Sequence, residues 1–235
     1  NQLTQYTSGR DTLSFKYDAL GNRIQKMRNR APVKYIVDPN RSLPSVLAET
    51  YLTGEIGTYY VYGLGLISKI QGDKAYFYQY DGIGSTVAIT DKEGEVVNSY
   101  AYDDFGNLAT NSSERTANPF KYVGKYGVMT DAPDLLYMRS RYYVPSIGRF
   151  INQDAIGLRG GLNTYSYVDS VGKPFVNLRP YFDGVESGST HLYQYAYNNP
   201  LMYTDPTGLS PGDWWDPRTY YPGQELGGLI DFIRY

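Results

Sequence analysis

The sequence contains no cysteine, which excludes disulfide cross-links and thiolate metal sites. It has one histidine, His191, so a histidine-built metal cluster is excluded as well. An excess of one charge is also missing. The 22 basic and 24 acidic residues are mixed along the chain and leave a formal net charge of −2. Without a basic stripe the chain lacks the electrostatic footprint of nucleic-acid binding. No apolar run approaches the roughly 18 residues that a spanning helix needs. The first residue is Asn1, and neither a methionine nor a leader-like segment opens the sequence, so the expectation is a fragment, or a processed part, of something longer.

What the sequence does have is tyrosine, 27 residues in 235, beside 25 glycines and 13 prolines. Tyrosine favours strands and half-buried sites where the hydroxyl still finds a partner. With so much glycine and proline, the composition predicts many short strands joined by tight turns, with helix a minor component. One motif organises the chain. Phe15-Lys16-Tyr17-Asp18-Ala19-Leu20-Gly21-Asn22-Arg23-Ile24 reads as strand end, turn and strand start. The same grammar returns from Tyr80-Asp81 to Val87 and from Tyr102-Asp103 to Leu108, with a degenerate unit at Tyr59–Gly63. Thr90–Val97 is a further strand–turn–strand with an acidic turn. Aspartate suits such turns because its side chain bonds a backbone N–H two residues on, and Gly-Asn suits positive φ. Alternation of Tyr76, Tyr78 and Tyr80 against Phe77 and Gln79 predicts one aromatic sheet face. Repeated turns along one such face point to a solenoid-like, spiral antiparallel sheet. Between residues 31 and 58 the prolines suggest two short strands with a loop, and the polar run 111–118 reads as a connector.

After that connector the sequence grows denser. It runs through Arg139-Ser140-Arg141-Tyr142-Tyr143-Val144-Pro145, Gly148-Arg149-Phe150-Ile151-Asn152-Gln153-Asp154 and Gly160-Gly161-Leu162-Asn163, and closes at Asp205-Pro206-Thr207-Gly208-Leu209. This ordered set resembles the Rhs/YD-repeat proteins and their C-terminal Rhs repeat-associated core, as in bacterial polymorphic toxins and Tc-toxin C components. The likeness covers roughly residues 15–209. It implies an all-β shell, a strip of sheet around a cavity, with the core as a plug at one end. The implied division is a YD-repeat segment over 1–118, an Rhs core over 119–209, and the start of a variable C-terminal region over 210–235.

The resemblance further implies secretion or surface display, a role in bacterial competition, and a C-terminal toxin cargo held in cis. The partners it implies are the rest of the shell and secretion-system or surface components; no nucleic acid or membrane span is expected from the charge and apolar pattern, and no cofactor is expected. Carried over by motif, Asp154 and Asp205 would form an aspartyl self-protease pair supported by Arg141, cutting between Leu209 and Ser210. Two adjacent carboxylates can share a proton and activate water on a peptide carbonyl, and an arginine can orient one of them. Taken alone, the two aspartates read as turn caps and Arg141 as a strand arginine laid over tyrosines. Val144 and Ala155 depart from the family pattern, which has Asp and Pro there. The strands at Thr164–Tyr167 and Leu192–Tyr195 look like two copies 28 residues apart, which marks the segment between Gly161 and Leu192 as an insertion.

Other candidates are weaker. His191 lacks a nucleophile elbow and reads as an edge-of-sheet residue. Gly54, Gly57, Gly63 and Gly65 are followed by no Gly-Lys-Ser/Thr and form no phosphate loop. Asp91, Glu93 and Glu95 fall short of a calcium ligand set and read as a solvated turn. Beyond Leu209, the spacing of Leu226, Leu229, Ile230 and Ile233 predicts a short helix in a tail too brief to fold as a toxin domain. The alternative function is a non-catalytic adhesion module that presents tyrosines to carbohydrate or protein.

Overall fold

A computed structural model of the chain describes residues 2–9, 11–41, 43–152, 195, 200–201, 203–207 and 212–213. Strands come first and in sequence order: β1 (Gln5–Ser8), β2 (Asp11–Tyr17), β3 (Arg23–Arg28), β4 (Ala31–Asp38), β5 (Ser45–Thr50), β6 (Ile56–Tyr62), β7 (Leu66–Gln71), β8 (Lys74–Tyr80), β9 (Thr86–Thr90), β10 (Val96–Ser99) and β11 (Ser113–Glu114). Each pairs antiparallel with its sequence neighbours, giving one open strip of eleven strands rather than a closed barrel. The all-β antiparallel class expected from composition is the one found. Residues 31–58 hold β4, β5 and the start of β6 instead of two short strands. Pro32 does not break β4 because it stands beside the hairpin turn, opposite Met27, where a strand tolerates one missing donor.

The aromatic face is real and its chemistry repeats. Phe15, Tyr35, Tyr60, Tyr78 and Tyr100 are buried in one cluster, with Tyr17, Tyr62, Tyr80 and Tyr102 packed partly buried against it. The tyrosine that ends a strand before its turn donates its hydroxyl to a backbone carbonyl on the preceding stretch of strip. Tyr17 reaches Leu3 O at 2.7 Å, Tyr62 reaches Val46 O at 3.0 Å, Tyr80 reaches Leu66 O at 2.7 Å and Tyr102 reaches Thr86 O at 2.7 Å. Phenylalanine could fill the same space but would leave the carbonyl without this donor.

The turns after Tyr17, Tyr80 and Tyr102, and the one after Thr90, share one hydrogen-bond pattern. Asp18, Asp81, Asp91 and Asp103 each accept from the N–H two residues on and from the N–H four residues on. The glycine three residues after each aspartate, at 21, 84, 94 and 106, has φ between 85° and 90°. Asn22 and Asn107 do not take up positive φ themselves. Their side-chain amides instead donate to the Asp18 and Asp103 carboxylates at 3.0 and 2.8 Å. The Asp91 turn is therefore another copy of this element, which accounts for the Asp91 carboxylate.

Two of these turns differ from the others in what lies against them. A Cβ on Gly106 would stand 2.6 Å from the Tyr122 ring and one on Gly84 2.5 Å from Tyr126, whereas one on Gly94 meets nothing within 4 Å. Gly94→Ala is expected to cost about 1–2 kcal/mol through backbone strain alone. Gly106→Ala is expected to cost about 1–3 kcal/mol more, because the ring must also move. Urea titrations of the two variants check the difference, and equal midpoint shifts would contradict it.

A second sheet of four strands comes next: β12 (Met129–Ala132), β13 (Leu135–Met138), β14 (Arg141–Val144) and β15 (Arg149–Phe150). All four residues of β13 are buried, because the strand lies between two cores. Leu135 and Tyr137 join the tyrosine face of the strip. Leu136 and Met138 point the other way, into a cluster with Tyr122, Val123, Val128, Tyr143, Phe150 and Tyr195. A last pair, β16 (Tyr203–Thr204) with β17 (Gly212–Asp213), completes the described strands. Among the described residues no helix is long and apolar enough to cross a membrane.

The strip and the four-stranded sheet are held together by polar bonds as well as by packing. The polar run 111–118 supplies β11 and then turns inward. Lys69 Nζ donates to Thr116 Oγ1 at 3.0 Å, and Tyr78 donates to Asn118 Oδ1 at 3.1 Å. The loop after it docks on the Asp81 turn, with Thr86 N to Lys121 O at 2.9 Å and Lys125 N to Gly84 O at 3.0 Å. Arg23 of β3, only 2% exposed, ion-pairs with buried Asp131 of β12, and Lys26 reaches the other carboxylate oxygen at 3.1 Å. The Arg23 guanidinium also lies 3.9 Å from the centre of the Tyr137 ring. Burial is the largest influence and works against its charge, but Asp131 together with Tyr142, Tyr35 and Tyr137 outweighs it and holds the pKa well above the ordinary range.

Candidate functional site

The Arg139-Ser140-Arg141 stretch that opens the dense segment forms the hairpin between β13 and β14. Met138 pairs with Arg141, so Arg139 and Ser140 are a two-residue turn, and Arg139 adopts φ 52°. Strand alternation then sets the side-chain directions along β14. Tyr142 faces the strip, bonding Tyr17 at 3.1 Å, while Arg141 and Tyr143 face the second cluster.

On that side Arg141 meets Asp205. Its Nη2 lies 3.2 Å from Asp205 Oδ2, and the two side chains are 2% and 0% exposed. The guanidinium carbon sits 3.7 Å from the Phe150 ring centre, so one face of the arginine is covered by an aromatic ring. Thr207 Oγ1 donates to the other Asp205 oxygen at 2.9 Å. A buried carboxylate survives only with a counter-charge and hydrogen bonds, and this one has both. Tyr195 closes the neighbourhood, fully buried, with its ring 4.2 Å from Tyr143 and 5.8 Å from Phe150.

Two of the three residues expected to act together, Arg141 and Asp205, are thus in direct contact. The reading of Asp205 as a turn cap fits its bond to Thr207. It also pairs with an arginine 64 positions earlier. Asp154, Ala155, Leu209 and Ser210 lie outside the described residues, as do His191, the segment between Gly161 and Leu192 and the helical spacing of the tail. Val144 packs its side chain against the strip core.

Sequence reasoning missed Thr207 and Arg139. The Arg139 guanidinium donates to Pro44 O through Nε and Nη2, both at 3.1 Å, to Tyr126 O at 2.6 Å and to Pro206 O at 2.6 Å. The only signal was the spacing of two arginines around one serine, which places them on a turn and on the strand after it. Among the described residues no group of three or more His, Cys, Asp or Glu side chains is placed to hold a metal ion.

The sequence profile of the teneurin YD-shell family matches residues 2–201. The chain belongs to the YD-shell family. Its resemblance to Rhs/YD-repeat proteins holds among curated relatives as well. The YD shell here is 34% identical over 200 residues to the tRNA nuclease WapA of Bacillus subtilis, covering 83% of this chain. It is 28% identical over 223 residues to the toxin subunit YenC1 of Yersinia entomophaga, covering 86%. It spans only 7% of the length of WapA and 20% of YenC1. Among solved structures, the Tc holotoxin pore of Photorhabdus luminescens superposes with a TM-score of 0.58 at 21% identity, over 93% of this chain and 10% of that one. That likeness establishes the fold of the strip and of the sheet packed against it.

Proposed function

We propose that this YD-shell segment is the closing end of a container for a C-terminal toxin cargo, and that it frees the cargo by cutting its own chain between Leu209 and Ser210. The observation that carries the reading is the buried Arg141–Asp205 pair, four residues before the proposed cut. The names of WapA and YenC1, a nuclease and a toxin subunit, support the toxin context and with it export from the cell. The division of labour runs along the same lines: 1–118 as shell wall, 119–209 as plug and protease core, and 210 onward as the start of the variable region.

The chemistry is hydrolysis of one peptide bond. One carboxylate of the Asp154/Asp205 pair takes a proton from water as the water oxygen adds to the Leu209 carbonyl carbon. The other carboxyl, protonated, gives its proton to the Ser210 nitrogen as the C–N bond breaks. The products are a carboxyl group on Leu209 and an amine on Ser210. In this scheme Arg141 keeps Asp205 oriented and balances its charge in a buried site. Thr207 fixes the second oxygen, so the carboxylate has one position.

The test is intact mass and N-terminal sequencing of the full-length protein after purification. Two fragments are expected, the second beginning at Ser210, while Asp205→Asn and Asp154→Asn each leave a single chain. A single chain in the parent protein after long incubation at mildly acidic and at neutral pH would sink the proposal.

A further inference from the structure

The two residues of the β13–β14 turn and the first residue of β14 grip three successive residues of the segment before the cut. Arg141 holds the Asp205 carboxylate, Arg139 Nη1 donates to Pro206 O at 2.6 Å, and Ser140 N donates to Thr207 O at 3.1 Å. The last two contacts are to main chain, so they fix register whatever the side chains are. Arg139 does more than hold this one segment. Its remaining donors reach Pro44 O, in the loop between β4 and β5 of the strip, and Tyr126 O, in the turn before β12. Gly127 leaves room for the guanidinium, since a Cβ there would stand 2.7 Å from Arg139 Nη2. A planar fork with five donors can serve three carbonyls in fixed directions, which a lysine ammonium on a flexible stem does poorly.

We propose that Arg139 is a positioning residue for self-cleavage. It sets the register of residues 205–207 against the plug and ties that register to the strip wall at Pro44. The role rests on the self-cleavage reading above. Its consequence is that cutting is competent only when the strip loop is seated, so the reaction reports that the shell wall has formed around the plug.

The experiment measures the rate and position of cutting in the full-length protein carrying Arg139→Lys, by intact mass over time. The cut is expected to slow about tenfold or more, as loss of one or two charge-assisted hydrogen bonds implies. The single cut at Leu209–Ser210 is also expected to spread to neighbouring bonds. A residue that merely supports the fold would slow cutting without moving its position. Where Arg139→Lys does not reach a native melting temperature, Arg139→Gln is measured instead. Cutting at the parental rate and only at Leu209–Ser210 in a folded variant overturns the proposal.

Amide exchange of residues 203–205 and 207 in an Asp205→Asn background separates the clamp from the reaction. Faster exchange on adding Arg139→Lys is expected there, and unchanged exchange overturns the clamp. A parent protein that never cuts overturns both the self-cleavage reading and this role in it.

Discussion

Asp131→Ala is expected to destabilise the protein by about 3–5 kcal/mol, the range for removing one partner of a buried ion pair. The reason is the company Asp131 keeps. Its carboxylate is the counter-charge for Arg23, which is 2% exposed and ringed by Phe15, Tyr35 and Tyr137. Lys26 leans on the other oxygen at 3.1 Å. Alanine would leave a guanidinium among aromatic rings with Tyr142 OH, at 3.1 Å, as a neutral acceptor in place of an anion. The double variant Arg23→Met/Asp131→Leu removes both charges and is expected to recover most of the loss. Urea unfolding of Arg23→Met, of Asp131→Leu and of the double variant checks this. A double variant as unstable as the sum of the singles would show that packing, rather than the stranded charge, sets the cost.

Raising the pH past 10 is expected to unfold the YD shell cooperatively. Burial pushes the Tyr17 phenol up to about 12. Burial likewise raises Tyr35, Tyr60, Tyr62, Tyr78, Tyr80 and Tyr102 along the strip, and Tyr122, Tyr137, Tyr142, Tyr143 and Tyr195 in and around the second sheet. Each keeps its proton in the folded state while the unfolded phenol releases it near 10. The stabilisation is therefore complete below pH 10 and is lost as pH rises through the window above it, by about 1.4 kcal/mol per pH unit for each fully buried group. Half a dozen such groups would consume a domain stability of about 5–15 kcal/mol within one or two units.

Lys69 acts in the opposite sense below that window. Burial lowers its pKa from 10.5 to about 8, so the unfolded chain binds more protons there and stability rises from about pH 8 toward 10.5. Stability should thus peak near pH 10 and then collapse. Phenolate absorbance and far-ultraviolet circular dichroism, followed together, are expected to change in one coincident step above that peak. Smooth phenol titration near 10 with the circular dichroism intact would contradict it.

Much of the strip was legible because its rules are local. Tyr-Asp followed by glycine specifies a strand end, a side-chain-capped turn and a positive φ within a few residues, and Asp18, Asp81 and Asp103 all obey it. The Asp91 turn was legible as a turn, though its identity with the others needed the hydrogen bonds. The part that failed to show was non-local. Nothing near Arg23 announces Asp131, 108 positions later, and nothing near Arg139 announces Pro44, 95 positions earlier. The polar run 111–118 reads as a connector because polarity says nothing about whether a buried partner, such as Lys69 or Tyr78, is waiting.

The sequence by itself determined the class of structure, the aromatic face, the turn chemistry and the family. Those depend on alternation, spacing and backbone conformation, which are set by near neighbours. Only the tertiary structure decided which polar groups would be buried together. It joined Arg141 to Asp205 across 64 positions and turned the Arg139 fork onto the carbonyls of three separate segments. A buried charge takes whichever partner the packing brings within reach, and that choice is made by the folded chain as a whole.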